Sequence, residues 1–200
     1  ELIKERYPRI PPLEIHLYKS IPSGAGLGGG SADAACMLDL LNDYFELNIP
    51  ENELASYALS LGSDCPFFLQ PVPCFARGRG EILESVHVDL SGYSILLVHP
   101  EIHISTARAF SMVKPDGQKP SIKDIVAQPV VRWRDHLIND FEIPVFAEYP
   151  GLKKIKDQLY DAGAVYASLT GSGSGLYGIF GKNGIPAAGI DTPARQSFFL

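Results

Sequence analysis

The order of helical and strand-like stretches along this 200-residue chain predicts an α+β fold in two layers. Three observations carry that reading. Five of the seven residues from 24 to 30 are glycine, and an amphipathic helix follows at once. After that helix the chain runs through Asn48-Ile49-Pro50 into a second helix, where a parallel α/β unit would place a buried strand. From Tyr93 onward strands and helices mix again and lead to a second glycine run, Thr170 to Gly175, between two short apolar stretches. A boundary near Ser91-Gly92 divides the layers, giving domains over 1–91 and 92–200.

Each element has a local reason. Residues 1–7 read as the tail of a helix, stopped by Pro8 and the Pro11-Pro12 pair. With no initiator Met ahead of them, a further upstream portion is expected. Residues 13–17 look like a strand, and residues 31–45 like a core helix with Ala35, Leu38, Leu41 and Phe45 on one face and Asp33 in its first turn. A helix over Glu51–Leu61 starts behind Pro50 and is expected to end on Gly62 as a left-handed cap. Short strands are expected at 67–69 and 74–76, then a turn at 77–80. The second layer reads as strand 93–98, helix Thr106–Met112, a polar Pro-bearing connection, helices 134–141 and 152–162, and strands 165–169 and Leu176–Phe180. The tail from 183 to 195 is rich in Gly and Pro and leaves the last strand open.

Composition narrows the partners. A net charge of −6 with no Lys/Arg block argues against nucleic acid, so an anionic substrate has to be met by local groups. The apolar runs are too short to span a bilayer, and no membrane partner is expected. Cys36, Cys65 and Cys74 are odd in number and lack C-x-x-C spacing, which suggests neither a disulfide framework nor a zinc site and fits the cytoplasm. His99 and His103 are four apart, but Pro100 prevents a helix from aligning them on a metal.

The glycine run at 24–30 has the build of a polyphosphate cradle. Glycine admits positive φ and lets backbone N–H groups converge on an anion, and the first turn of the following helix adds unpaired N–H groups and a partial positive charge. It is not a P-loop, because Gly30 is followed by Ser31 without the lysine that reaches the β- and γ-phosphates. Gly24, Gly26 and Gly29 do fit G-x-G-x-x-G, yet the strand with a ribose-binding acid that should follow the helix is missing. A plain flexible loop is the remaining alternative.

Two further places carry chemistry. In Ser63-Asp64-Cys65-Pro66, Asp64 sits at the end of a helix, where a carboxylate can take a proton from a substrate hydroxyl or can simply cap a turn. Thr170 to Gly175 can present N–H and hydroxyl donors to an anion, or merely link two strands. Among the aromatic residues, Phe141 in Asn139-Asp140-Phe141-Glu142 is open to stacking on a base.

Together, Pro22 to Ala32 with its helix, Leu61 to Phe68, and Leu169 to Gly175 resemble, in order, the three motifs of the GHMP small-molecule kinases. The wording Gly28-Gly29-Gly30-Ser31, Gly62-Ser63-Asp64-Cys65-Pro66-Phe67-Phe68 and Gly78-Arg79-Gly80-Glu81-Ile82-Leu83 points to the branch acting on a diphosphocytidyl methylerythritol. The resemblance implies an N-terminal domain like ribosomal protein S5 domain 2, incomplete here, and a ferredoxin-like C-terminal domain. It implies ATP-dependent phosphorylation of the erythritol 2-hydroxyl in isoprenoid synthesis. Pro22, Ser23, Gly24, Ala25, Gly26, Leu27, Gly28, Gly29, Gly30, Ser31 and Ala32 then hold ATP, with Ser31 near phosphate and Mg²⁺. Asp64 takes the place of the family's catalytic acid. Phe141 stacks on the cytosine, and Thr170, Gly171 and Ser172 line the substrate side. The family's Lys-Ile/Leu-Asn segment, which carries a catalytic lysine, has no counterpart in these residues. Two other readings remain: a homoserine- or mevalonate-type kinase, and a nucleotide-binding fragment inactive without an N-terminal segment.

Overall fold

The computed structural model describes residues 1–19, 21, 24–70, 72–114, 120–181, 184 and 194–199, the last six as backbone only. They fall into two units, Glu1–Ile21 with Gly28–Val86, and Pro22–Leu27 with His87–Leu200.

The first unit is built on helices. After a short α1 (Leu2–Arg6) comes α2 (Gly29–Tyr44), which starts two residues before Ser31 because Gly28 takes a left-handed φ of 66° and serves as N-cap. That earlier start moves Asp33 out of the first turn, where it pairs with Lys19 instead of facing the helix dipole. The expected apolar face is present: Ala35 and Leu38 are buried, with Leu41 and Phe45 partly so. They pack with Leu54 and Ala58 of α3 (Glu51–Leu61) around Ile3, Ile10, Leu47, Ile49 and Cys65. Helix α3 does not end on a left-handed glycine. Gly62 has φ 178°, an extended backbone open to any residue.

The expected strand at 67–69 is instead part of a helical turn, α4 (Cys65–Phe68). Pro66 at the start of the turn favours helical φ and loses no needed N–H, which outweighs the β-propensity of two adjacent phenylalanines. Strands β1 (Cys74–Arg77) and β2 (Ile82–Ser85) form an antiparallel hairpin in which Arg77 faces Ile82. The strand-like stretch at 13–17 joins no ladder among the described residues, and Leu13, Ile15 and Leu17 stand exposed. Its alternation marks a strand only where a second strand supplies the hydrogen bonds.

The second unit is a four-stranded antiparallel sheet in the order β4-β5-β3-β6, made of β3 (Ser94–His99), β4 (Tyr166–Leu169), β5 (Leu176–Phe180) and β6 (Ala194–Phe199). Successive residues serve opposite faces, as the pleat requires. Leu96, Val98, Leu176 and Phe180 pack with α5 (Thr106–Met112), α7 (Glu142–Glu148) and α8 (Pro150–Asp161) through Ala109, Val145, Leu152 and Leu159. Ile95, Tyr177 and Ile179 meet Ile125 of α6 (Ile122–Val126) and Trp133 of a 3₁₀ turn (Val130–Asp135). Leu159 is fully buried, a contribution of ~1.5–3 kcal/mol, and Gly178 makes room for it, since a Cβ there would lie 2.9 Å from Leu159 Cδ2. The helix expected at 134–141 is a break. The 3₁₀ turn ends at Asp135, and α7 starts at Glu142 because the Asn139 side chain accepts the Phe141 N–H at 2.9 Å.

Candidate active site

Within the second unit, the loop between β4 and β5 is the second glycine run, and it is locked onto residues 24–27 of the first glycine run, which belong to the same unit. The Gly175 N–H donates to the Ala25 carbonyl at 3.1 Å, and the Thr170 hydroxyl donates to the Gly26 carbonyl at 2.9 Å. The two backbones touch so closely that side chains have no place between them. A Cβ on Gly26 would stand 2.1 Å from the Thr170 carbonyl oxygen, and one on Gly175 would stand 2.4 Å from the Ala25 oxygen. Gly26 also has φ 72°, where L side chains are strained. Glycine at these positions is therefore a packing requirement, and a mere flexible link would not need it.

The same loop is braced from the other side. Asn139 Nδ2 donates to the Leu169 carbonyl at 2.9 Å and to the Gly171 carbonyl at 2.8 Å. Phe141, Thr170 and Gly171 line one pocket of about 430 Å³ together with Asn139, Tyr166 and Tyr177. Ser172, half-buried in the turn, is outside that lining. The Phe141 ring meets Phe110 edge to face at 5.0 Å, so one of its edges is already occupied. Burial pushes the Tyr166 hydroxyl well above the usual phenol range and raises that of Tyr177, and both remain neutral donors at physiological pH.

Within the first unit, α2 opens on Gly28-Gly29-Gly30-Ser31-Ala32. The first helical bond runs from the Ala32 N–H to the Gly28 carbonyl, so the N–H groups of Gly29, Gly30 and Ser31 have no partner inside the helix. Gly28 is fixed by α4, because a Cβ there would meet the Phe68 ring at 2.7 Å. A Cβ on Gly30 would meet nothing within 4 Å. Open space beside free N–H groups suits the phosphates of a nucleotide. Lys19, which composition alone did not single out, has its ammonium 3.6 Å from where a Gly29 Cβ would stand and pairs with Asp33. It is a cation beside the first turn of α2, and its charge is shared with the Asp33 carboxylate.

Asp64 precedes α4 and is exposed, and its carboxylate makes no capping hydrogen bond. The turn-capping role is thus left unfilled by this side chain. Gly80 of the hairpin turn, at φ 121°, passes against it. A Cβ there would be 3.0 Å from the Ser63 carbonyl oxygen and 3.3 Å from Asp64 Oδ1. Pro22 and Ser23, the first two residues expected at the phosphates, lie outside the described residues. Among the described residues, no group of three or more His, Cys, Asp or Glu could hold a metal ion, and no helix is long and apolar enough to cross a membrane.

Two family descriptions match this chain, the GHMP kinases N-terminal domain over residues 1–70 and the GHMP kinases C-terminal domain over residues 122–190. The chain belongs to the GHMP kinase family. It is 51% identical over 173 residues to the 4-diphosphocytidyl-2-C-methyl-D-erythritol kinase of Bacteroides thetaiotaomicron, covering 86% of this chain and 63% of that protein. It is 47% identical over 183 residues to the enzyme of the same name from Azobacteroides pseudotrichonymphae, covering 91% and 68%. A crystal structure of 4-(cytidine 5'-diphospho)-2C-methyl-D-erythritol kinase superimposes with a TM-score of 0.66 at 31% identity, over 80% of this chain and 59% of that one. The chain thus spans close to two thirds of the length of the curated relatives it matches.

Proposed function

We propose that the protein transfers the γ-phosphoryl group of ATP to the 2-hydroxyl of 4-diphosphocytidyl-2-C-methyl-D-erythritol. The observation that carries this reading is the interlock of residues 24–27 with the 170–175 turn, in a chain about half identical to relatives named for that reaction. A loop that only linked two elements would not need glycine on both sides of a backbone contact.

Phosphoryl transfer depends mainly on positioning and charge neutralisation. Residues 24–32 present N–H groups to the ATP phosphates, and Lys19 adds a positive charge beside the first turn of α2. The uncapped Asp64 carboxylate orients the substrate hydroxyl and accepts its proton. Phe141, Thr170, Gly171 and Ser172 contact the diphosphocytidyl substrate, with the pocket they adjoin offering the Tyr166 and Tyr177 hydroxyls as neighbours. The Ser31 hydroxyl at the start of α2 would hold Mg²⁺, and the chemistry that ion would supply there is neutralisation of charge on the phosphates.

The test is turnover of ATP by the protein at its natural length, with the diphosphocytidyl alcohol, homoserine and mevalonate offered in parallel. ADP release dependent on the first supports the assignment. Turnover of homoserine or mevalonate instead would reassign it within the family, and ATP binding without turnover of any of the three would make the chain a binding module.

A further inference from the structure

The second unit holds a buried charge that phosphoryl transfer does not use. Glu142 is 5% exposed. Its Oε1 accepts the Leu169 N–H at 3.0 Å and the Ser168 hydroxyl at 3.2 Å, and its Oε2 accepts the Lys156 ammonium at 2.6 Å. Burying a carboxylate is unfavourable unless its oxygens are partnered, and here both are. Asn139, three residues earlier, holds the next peptide of the same residue, donating to the Leu169 carbonyl and to the Gly171 carbonyl. Leu169 is therefore gripped at its N–H by one residue and at its carbonyl by the other. It is the last residue of β4, and the next residue carries the hydroxyl that holds Gly26.

The turn that follows needs such bracing. Three of its six residues, Gly171, Gly173 and Gly175, are glycine, which loses the most freedom on ordering. Held at Leu169 and Gly171, it can in turn hold Ala25 and Gly26 at fixed positions. We propose that Asn139 and Glu142 are positioning residues, which set the β4–β5 turn and, through Thr170 and Gly175, fix residues 24–27 for the phosphates of ATP. The inference rests on the reading of residues 24–27 as part of a phosphate loop.

Three variants and one control test it in the protein at its natural length, with magnesium ATP as the probe. Asn139→Ala removes both donated bonds. Glu142→Gln forces an amide NH₂ toward either the Lys156 ammonium or the Leu169 N–H, a donor against a donor. Adding Lys156→Met to Glu142→Gln relieves that conflict and lets the amide oxygen accept the Leu169 N–H again. The expected result, well below each melting temperature, is a KM for ATP raised about tenfold in both single variants with kcat within about threefold, and recovery in the double variant. Hydrogen exchange should quicken at Gly173 and Gly175 in the single variants and return in the double. A lowered melting temperature with unchanged KM and unchanged exchange would make the network structural only and overturn the proposal. The control is Gly26→Ala, in the folded protein. If it weakens ATP binding while Asn139→Ala and Glu142→Gln leave KM alone, the loop reading stands and the positioning role falls. If none of the variants, the control included, alters ATP binding, the loop reading and the positioning role fall together.

Discussion

The Thr170 hydroxyl donates to the Gly26 carbonyl at 2.9 Å, joining residues 144 apart in sequence. Beside it the Gly175 N–H reaches the Ala25 carbonyl, so a hairpin loop of the sheet and a glycine segment from far upstream are clasped by one side-chain and one main-chain bond. A carbonyl that accepts such a bond cannot swing toward a bound anion.

Thr170→Val keeps the shape of this side chain and deletes the donor. A net loss of ~0.5–1.5 kcal/mol is expected, read as a few-fold to tenfold weaker ATP binding, while Thr170→Ser stays near the parent. Calorimetric titration with ATP compares the three. Equal affinity in the Val variant would show that the hydroxyl does not set the loop.

For Asp64→Asn the structure separates the two roles that a carboxylate before Cys65-Pro66 can have. Because the side chain makes no capping bond, the substitution should leave the melting temperature unchanged. As the proposed proton acceptor, its loss should lower kcat at least ~10²-fold with little change in KM. A variant that melts early and turns over normally would return Asp64 to a turn residue.

Gly30 gives a test free of steric damage. With nothing within 4 Å of its added Cβ and a helical position, Gly30→Ala should stabilise the protein by up to ~1 kcal/mol. If phosphates occupy that open space, ATP binding should nonetheless weaken, and binding of adenosine, which carries no phosphate, should not be affected. Thermal melts with and without ATP measure both effects. A gain in stability with no loss of the ATP-induced shift would place the nucleotide elsewhere.

Much of this was legible in the sequence, for reasons that differ by element. Thr106–Met112 is announced by Ser105, whose hydroxyl accepts the Arg108 N–H at 3.2 Å, and Glu51–Leu61 by Pro50. Glycine runs spelled out both halves of the clasp, because backbone-to-backbone contact leaves no alternative residue. The missed helix start at Glu142 had a local signal in Asn139 and in Pro144 within the first turn, which read as a break only when taken together. The Phe67-Phe68 pair reads as a strand by β-propensity, whereas the proline preceding it carries the helical turn that forms. Glu142 itself could not be read, since its burial depends on Lys156, Ser168 and Leu169, which only the tertiary fold brings to it.

Tyr166 makes the fold sensitive to alkali. It is 2% exposed, and its hydroxyl donates to the Leu137 carbonyl at 2.9 Å. Burial, with Tyr177 beside it, raises the pKa of its phenol far above the unfolded value of ~10. The fold thus favours the protonated form. Below pH ~10 both states are protonated and the contribution is complete, whereas above it the unfolded chain loses the proton first and stability falls by up to ~1.4 kcal/mol per pH unit for this group. Tyr166→Phe should therefore be less stable than the parent at pH 8, by ~1–3 kcal/mol for the unpaired Leu137 carbonyl, and should decline less steeply above pH 10. Urea unfolding from pH 8 to 11 follows both proteins, and the two curves should converge as pH rises. Parallel curves would mean that Tyr166 ionises as readily in the fold as in the unfolded chain, and that its burial does not govern its titration.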